Sequence, residues 1–153
     1  MFSALEAGYG LDGARVLDLY AGSGALGLEA LSRGAAGATF VESDRRALEV
    51  LRRNTTTLGM PGAVVLAEAV ESVLASAACE PFDVILADPP YGLSGDDVAT
   101  LLDLVARGGW LAQDGVLLLE RAARNGTPKP PDGLVVTRSR RYGDTVIHWI
   151  GYV

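Results

Sequence analysis

Cysteine, histidine and long apolar runs are all scarce in this chain of 153 residues. The one cysteine, Cys79, excludes an internal disulfide and fits a reducing compartment. One histidine beside one cysteine leaves no zinc-binding set of side chains, so we expect no metal. No apolar run approaches the ~18 residues of a membrane-spanning helix, and no signal segment is visible. We therefore expect a cytoplasmic protein without a membrane partner.

Positive charge is also in short supply. The chain has 13 Lys and Arg against 19 Asp and Glu, which gives a formal net charge of −6. Because nucleic-acid-binding domains usually carry a basic patch, this balance argues against nonspecific polyanion binding by the domain as a whole. The densest basic run is Arg138, Arg140 and Arg141 beside Tyr142. That run is typical either of a phosphate contact or of a solvated strand face.

Apolar strand-like runs alternate with helical patterns, which indicates βαβ units and a mostly parallel sheet. The predicted strands cover 14–19, 38–41, 63–66, 82–87 and 115–120, and the predicted helices cover 25–33, 44–58, 70–77 and 97–107. Two β-rich runs, 134–139 and 145–152, predict an antiparallel pair that closes the sheet edge. We expect residues 1–153 to form one domain, with Ser23 as the N-cap of the first helix.

A glycine-rich turn follows the first predicted strand. Gly22, Gly24 and Gly27 spell the G-x-G-x-x-G pattern of dinucleotide-binding proteins, in which glycines let a ligand approach the backbone and the next helix pack closely. The pattern alone leaves a nicotinamide dinucleotide open. A carboxylate at Asp18, just ahead of the turn, would repel a pyrophosphate and suits a cationic ligand such as S-adenosylmethionine.

Acidic residues follow the next two predicted strands as well. Glu42 lies 20 positions after Gly22, where a carboxylate can accept hydrogen bonds from both ribose hydroxyls. Glu68 and Ala69 follow strand 63–66, where they could edge an adenine ring. We interpret Asp44 as the N-cap of the following helix rather than a ligand contact.

The stretch Asp88-Pro89-Pro90-Tyr91 directly follows the buried run 82–87. Two prolines cannot extend a central strand, so the chain turns at the carboxyl edge of the sheet, where ligands bind in open α/β folds. Asp88 and the Pro89 carbonyl would hold a planar amino group and stabilise positive charge developing on its nitrogen. Tyr91 would stack on a base rotated out of its helix.

The remaining candidate residues favour structural roles. His148 falls in the last strand and is typical of a satisfied core or edge histidine. Trp110 and Trp149 are interpreted as packing residues, and Cys79 as inert filler.

The motifs together resemble a known group of enzymes. Asp18-Leu19-Tyr20-Ala21-Gly22-Ser23-Gly24, Glu42 and Asp88-Pro89-Pro90-Tyr91 are similar to class I S-adenosylmethionine-dependent methyltransferases that act on amino groups of nucleic acids. Phe2-Ser3-Ala4-Leu5 and Arg141-Tyr142-Gly143-Asp144-Thr145 extend this resemblance to the bacterial 16S ribosomal RNA guanine-N2 methyltransferase family of the RsmD type.

The resemblance implies a Rossmann-like α/β fold with a twisted seven-stranded sheet, helices on both faces and an antiparallel C-terminal strand pair. It also implies S-adenosylmethionine as cofactor and N2-methylguanine as product. We expect the enzyme to be a monomer that acts on the 16S RNA of a partly assembled small ribosomal subunit. The implied cofactor-binding residues are Asp18, Tyr20, Ala21, Gly22, Ser23, Gly24, Glu42, Ser43, Glu68, Ala69 and Asp88. The implied catalytic residues are Asp88, Pro89, Pro90 and Tyr91.

Members of this family usually begin with a basic segment upstream of the position of Phe2, which this chain lacks, so we expect a weakened grip on RNA. Three alternatives therefore stay open. One is an amino-methyltransferase acting on adenine N6 or on a protein glutamine, whose members more often carry Asn at the position of Asp88. The second is a truncated cofactor-binding domain with little activity on RNA, and the third is a nucleotide-dependent oxidoreductase.

Overall fold

The computed structural model describes residues 10–90 and 92–153. Its strands are β1 (Arg15–Leu19), β2 (Gly37–Val41), β3 (Ala63–Leu66), β4 (Phe82–Ala87), β5 (Leu111–Ala122), β6 (Leu134–Tyr142) and β7 (Thr145–Tyr152). Its helices are α1 (Ala25–Ser32), α2 (Arg45–Leu58), α3 (Val70–Leu74) and α4 (Gly95–Arg107), and a short 3-10 turn covers Ala123–Asn125. The predicted alternation of strands and helices is confirmed.

The strands form one sheet in the order β3-β2-β1-β4-β5-β7-β6. The first five pair in parallel, whereas β7 pairs antiparallel with both β5 and β6. The predicted seven-stranded, mostly parallel sheet with an antiparallel C-terminal pair is therefore confirmed. Because β7 inserts between β5 and β6, the carboxyl end of β5 lies beside the start of β7, where Ala122 pairs with Thr145.

Apolar side chains cover both faces of the sheet. On one face, Phe40 and its neighbours pack with residues of α1 and α2. On the other face, Leu17, Ile85 and their neighbours pack with α3 and α4. Period-2 alternation along each buried strand produces these two layers, because successive side chains point to opposite faces. Burial on both faces holds the carboxyl ends of the parallel strands together at one edge.

Several predicted boundaries needed correction. The first helix has Gly24 rather than Ser23 at its N-cap, and no side chain caps it. Helix α4 begins at Gly95 because Ser94 and Asp97 form a reciprocal capping box ahead of the predicted start at 97. Helix α3 ends at Leu74, and β5 begins at Leu111. The prediction of Asp44 as N-cap is confirmed, since its carboxylate accepts from the Ala47 N–H at 2.9 Å.

The interpretation of Cys79 as packing filler was wrong, because this side chain is exposed. Trp110 and Trp149 are buried, as expected of packing residues, and His148 is buried too. The expectation of a satisfied histidine holds for one ring nitrogen only, because His148 Nε2 has no hydrogen-bond partner among the described residues. His148 Nδ1 lies 2.7 Å from Ser139 Oγ, and burial, together with the charge of Arg121, lowers the pKa of the imidazole. A buried histidine held in this way is a structural element of the β6–β7 pair.

Candidate functional site

Acidic side chains mark the carboxyl ends of all five parallel strands. Asp18 lies in β1, Glu42 follows β2, Glu68 follows β3, Asp88 follows β4 and Glu120 lies near the end of β5. Given the strand order, they occur across the edge as Glu68, Glu42, Asp18, Asp88 and Glu120. The edge therefore presents carboxylates throughout, and a cation or a set of hydrogen-bond donors suits it better than a phosphate does.

Glu42 organises the glycine-rich turn through backbone hydrogen bonds. Its Oε1 accepts from the Gly22 N–H at 2.7 Å, and its Oε2 accepts from the N–H groups of Ser43 at 3.0 Å and Asp44 at 2.8 Å. The turn is tied to β2 a second time, because Ala21 N–H donates to the Val41 carbonyl at 3.0 Å. Oε2 of the half-buried Glu42 thus already accepts two hydrogen bonds, whereas Oε1 accepts one and keeps acceptor capacity for a ribose hydroxyl.

Two glycines of the turn are required by packing. Gly24 has φ of 84°, and a Cβ there would overlap the Leu51 side chain. A Cβ at Gly27 would overlap the Phe40 ring. At Gly22, in contrast, an added Cβ meets nothing within 4 Å, so this part of the turn faces open space. The prediction that glycines let the next helix pack closely is confirmed for Gly24 and Gly27. Gly22 leaves the backbone open to the approach of a ligand.

Asp18 supports the turn from below. Its side chain is 1% exposed, and its Oδ2 accepts from the Gly27 N–H at 3.0 Å. The pKa of Asp18 is raised to about 7, mainly by burial; the Gly27 N–H opposes this rise, and the nearby carboxylates of Asp88 and Glu42 add to it. A buried carboxylate with this pKa gains stability from any cation that approaches the turn, which fits the predicted preference for a cationic ligand.

Tyr20 adopts an unusual backbone conformation, with φ of 57°. Its ring packs with the second core face, towards α3 and α4. The hydroxyl is buried and meets the geometry of a hydrogen bond with none of the described residues. Burial raises the pKa of Tyr20 to about 12, with the negative charges of Glu71 and Asp97 and the closeness of the Glu71 carboxylate to the hydroxyl as further causes. The cofactor contact predicted for Tyr20 stays a prediction, and this orientation leaves only its backbone for it.

The other predicted cofactor residues lie near the same edge. Ser43 and Glu68 are exposed, and Ala69 is the half-buried N-cap of α3. Ser23 lies in the turn, and its carbonyl accepts from the Asn54 side chain at 2.9 Å. Their contacts with a cofactor stay predictions.

A polar cavity opens beside the turn that follows β4. Asp88, Pro89 and Pro90 form one wall, and Glu120, Arg121, Ala122, Asn125 and Thr145 complete it. Three of the four residues of the predicted catalytic motif thus line one cavity. The fourth, Tyr91, lies outside the described residues, as does Phe2-Ser3-Ala4-Leu5.

Glu120 and Asp88 face one another in this cavity. Burial, a hydrogen bond with Asp88 and the negative charge of that carboxylate together raise the pKa of Glu120 to about 7. Glu120 is therefore protonated below neutral pH and ionised above it. Once it has released its proton to solvent, Glu120 presents a second acceptor beside Asp88 to a ligand with two donors.

Arg121, the next residue of β5, braces the turn from the opposite side of the strand. It is 8% exposed, and its Nη1 donates to the Leu93 carbonyl at 3.0 Å. The Leu93 N–H in turn donates to the Pro90 carbonyl at 3.0 Å. The consecutive residues Glu120 and Arg121 thus contact the two ends of the turn that follows β4.

Five cavity residues were not predicted from the sequence: Glu120, Arg121, Ala122, Asn125 and Thr145. Glu120 could have been found, because it ends the predicted strand 115–120 as the other acidic candidates end or follow theirs. Thr145 belongs to a motif that carried the resemblance, but its place in the cavity follows from the position of β7, as that of Asn125 follows from the 3-10 turn.

Two classes of feature are missing from residues 10–90 and 92–153. These residues contain no group of three or more His, Cys, Asp or Glu side chains that could hold a metal ion. They also contain no helix that is long and apolar enough to cross a membrane.

The chain is similar to a family of proteins and to individual members of known sequence. The chain matches a family model described as "Conserved hypothetical protein 95" over residues 1–151. It is 39% identical over 132 residues to Ribosomal RNA small subunit methyltransferase D of Escherichia coli strain K12, and the match covers 85% of this chain and 64% of that relative. It is 38% identical over 137 residues to YlbH of Bacillus subtilis strain 168, covering 88% of this chain and 73% of that protein.

The solved structures agree with the sequence relatives. The structure of the yhhF protein from Escherichia coli matches with a TM-score of 0.87 at 35% identity, and the match covers 99% of this chain and 82% of that chain. This chain spans less than two thirds of the length of its Escherichia coli sequence relative.

Proposed function

The chain belongs to the Conserved hypothetical protein 95 family, and from that premise we propose that it transfers a methyl group from S-adenosylmethionine to the exocyclic N2 of a guanine in 16S ribosomal RNA. The family resemblance drawn from the sequence is confirmed. The proposed RNA class follows the Escherichia coli relative, which is named as a ribosomal RNA small subunit methyltransferase.

The observation that supports guanine as the substrate base is the pair of facing carboxyl groups of Asp88 and Glu120. The Watson–Crick edge of guanine offers two adjacent donors, N1–H and the N2 amino group, and enzymes that flip a base out of its helix read this edge by hydrogen bonds. Two carboxylates side by side match two donors. In adenine, the ring nitrogen N1 beside the amino group is an acceptor, and an ionised Glu120 would repel it.

The cofactor fits the other half of the edge. Glu42 and Ser43 would hold its ribose, the segment 18–24 would surround its methionine part, and Glu68 with Ala69 would edge its adenine. The open approach at Gly22 and the buried carboxylate of Asp18 suit a ligand that is cationic rather than pyrophosphate-linked. When bound, S-adenosylmethionine supplies an electrophilic methyl group.

The chemistry assigned to the protein is orientation and charge stabilisation. Asp88 and the Pro89 carbonyl would accept hydrogen bonds from the N2 amino group, hold it in line for transfer and stabilise the positive charge that develops on nitrogen. Glu120 would accept from N1–H and keep the base in register. Tyr91 would stack on the flipped base, and Pro90 would stiffen the turn. The proton leaves N2 towards Asp88.

The setting of the reaction is part of the same proposal. We assign it to the cytoplasm, to a monomer of this chain without a metal, and to the 16S RNA of a partly assembled small subunit.

Mapping the methylated nucleoside tests the proposal. The chain is incubated with isotope-labelled S-adenosylmethionine and immature small subunits, and the RNA is digested and analysed by mass spectrometry. We expect label in N2-methylguanosine. Label in N6-methyladenosine, or in protein, would overturn the assignment of guanine.

Calorimetry separates the cofactor assignment from the substrate assignment. S-adenosylmethionine should bind, and NADH should not. Tight binding of NADH would favour an oxidoreductase, whereas binding of S-adenosylmethionine without methyl transfer would identify a cofactor-binding domain with little activity on RNA.

A further inference from the structure

Charge is distributed very unevenly along the chain. Residues 1–120 contain seven Lys and Arg and seventeen Asp and Glu, whereas residues 121–153 contain six Lys and Arg and only two Asp and Glu. The acidic average of the whole chain therefore conceals a basic C-terminal region. Three of the six cations lie on β6, which forms one outer edge of the sheet.

Three of these cations lie on the exposed part of β6, and together with Tyr142 we term them the basic ribbon: Arg138 and Arg140 share one face of the strand with Tyr142, whereas Arg141 lies on the opposite face. All four side chains are exposed on β6. The Arg138 guanidinium lies 4.8 Å from the centre of the Trp149 ring, and that of Arg140 lies 5.2 Å from the centre of the Tyr142 ring. Stacking on a ring restrains a long side chain while its N–H groups stay available to an anion.

Arg141 is restrained differently. Its Nε donates to the Gly143 carbonyl at 2.7 Å, and its Nη2 lies 4.0 Å from Asp144 Oδ1. Both partners of that ion pair are highly exposed, so it contributes little and can be exchanged for a phosphate.

Strand register joins the ribbon to the cavity. Tyr142 pairs with Thr145, which in turn pairs with Ala122. Thr145 and Ala122 both line the cavity that contains Asp88 and Glu120. The ribbon thus begins one strand away from the cavity and extends from it along the sheet edge.

We propose that the basic ribbon is an RNA-docking surface, on which phosphates flanking the flipped guanine bind Arg138, Arg140 and Arg141. This inference rests on the proposed function, because it takes RNA as the substrate. Planar guanidinium groups bind phosphate in a bidentate manner, and the exposed Tyr142 ring offers a stacking surface to a neighbouring base. The ribbon would supply part of the grip on RNA, which favours the phosphate contact over the solvated strand face as the role of these arginines.

The test compares two triple variants that change net charge equally. One replaces the ribbon arginines (R138Q, R140Q and R141Q). The matched control replaces exposed arginines of α2 (R46Q, R52Q and R53Q), since α2 connects β2 and β3 at the opposite end of the sheet. The probe is a fluorescein-labelled RNA hairpin, and its anisotropy is measured over a series of salt concentrations.

We expect the ribbon variant to bind the hairpin about tenfold or more weakly than the control, with the slope of log affinity against log salt reduced by about 2. A third variant, R138K, R140K and R141K, keeps the charge and should retain most of the slope. Because it preserves net charge on the same strand, it separates loss of phosphate contacts from disruption of β6.

Equal RNA affinity and slope in the ribbon variant and the α2 control would overturn the inference. Binding of polyglutamate to the ribbon, with no effect of the ribbon substitutions on RNA, would assign the surface to an acidic protein instead. Affinity for S-adenosylmethionine, measured in parallel, should be the same in all variants. The proposed function fails separately, if no variant and no wild-type chain methylates guanine.

Discussion

The two halves of the carboxyl edge are built in different ways. On the β1–β2 side, the Glu42 carboxylate is held by three backbone N–H groups, and the turn it supports is shaped by Gly24 and Gly27. On the β4–β5 side, Asp88 and Glu120 face one another, and burial together with the neighbouring Asp88 raises the pKa of Glu120 to about 7. The first half is therefore set before a ligand arrives, whereas the second changes its protonation when a ligand with donors enters.

The largest effect is expected from removing the acceptor at Asp88, which tests whether the β4–β5 side acts on methyl transfer and not on cofactor binding. We expect Asp88→Ala to lower the rate of methyl transfer by about 10²–10³-fold, the usual cost of removing one group that stabilises transition-state charge. Affinity for S-adenosylmethionine should stay within a few-fold, as measured by calorimetry. Asp114→Asn, an exposed carboxylate near the start of β5, is the control for charge. A large loss of cofactor affinity would place Asp88 in the cofactor half.

Glu42→Ala should have the opposite profile. We expect cofactor binding to weaken by about 1–3 kcal/mol, because hydrogen bonds to the ribose and the support of the Gly22 N–H are lost together. Glu49→Ala, on the exposed face of α2, is the matched control. An unchanged dissociation constant would contradict the ribose role.

The same contrast explains what the sequence could predict. The glycine turn, Glu42 and the run 82–87 are local signals, and the predicted bounds of β3 and β4 match the structure. The bounds of β4 are sharp because Pro81 precedes the run and Asp88 and Pro89 follow it. The start of β5 was missed because Gln113 and Asp114 interrupt its apolar pattern, and the pairing of β4 with β5 shifts register between Phe82 and Val84.

The β4–β5 side of the carboxyl edge could be predicted only by knowing which strands are neighbours. Asp88 and Glu120 are 32 positions apart, and only the order β4-β5-β7 brings them together beside Thr145. Arg121 likewise acts on a turn almost 30 positions earlier, through its bond to Leu93. Side-chain pairs of this kind leave no periodic trace in a sequence.

Glu120→Gln tests the ionisation of Glu120 through pH. Guanine needs Glu120 ionised, so the wild-type kcat/KM should rise about tenfold between pH 6 and pH 8, as expected for a group with a pKa near 7. The Gln variant should lose this rise. If adenine were the substrate, protonated Glu120 would donate to its N1, and the rate would fall with pH instead.

The stability of the fold provides a second readout for Glu120. Because its pKa is raised in the folded chain, the native state binds more protons than the unfolded state between its ordinary pKa and about 7. The free energy of unfolding should therefore decrease as pH rises through that window. The decrease should be smaller in Glu120→Gln, as measured by urea unfolding at several pH values.

The smallest effect is expected at Tyr20, which directly follows β1 on the β1–β2 side of the edge. Its buried hydroxyl lacks a partner among the described residues, so Tyr20→Phe should change the free energy of unfolding by less than about 1 kcal/mol or increase it. Cofactor affinity should be unchanged, since only the backbone of Tyr20 is available to a ligand. A loss of stability well beyond that figure would reveal a hydrogen bond to Glu71.

The position of β6 has a consequence for solubility. This nine-residue strand is one outer edge of the sheet, and an unpaired edge can recruit a strand from another copy of the same chain. The edge at β3 has only four residues, which limits such pairing. On β6, repulsion between like charges of the arginines opposes it. The residues that we assign to RNA docking would thus also keep concentrated protein from stacking edge to edge into aggregates.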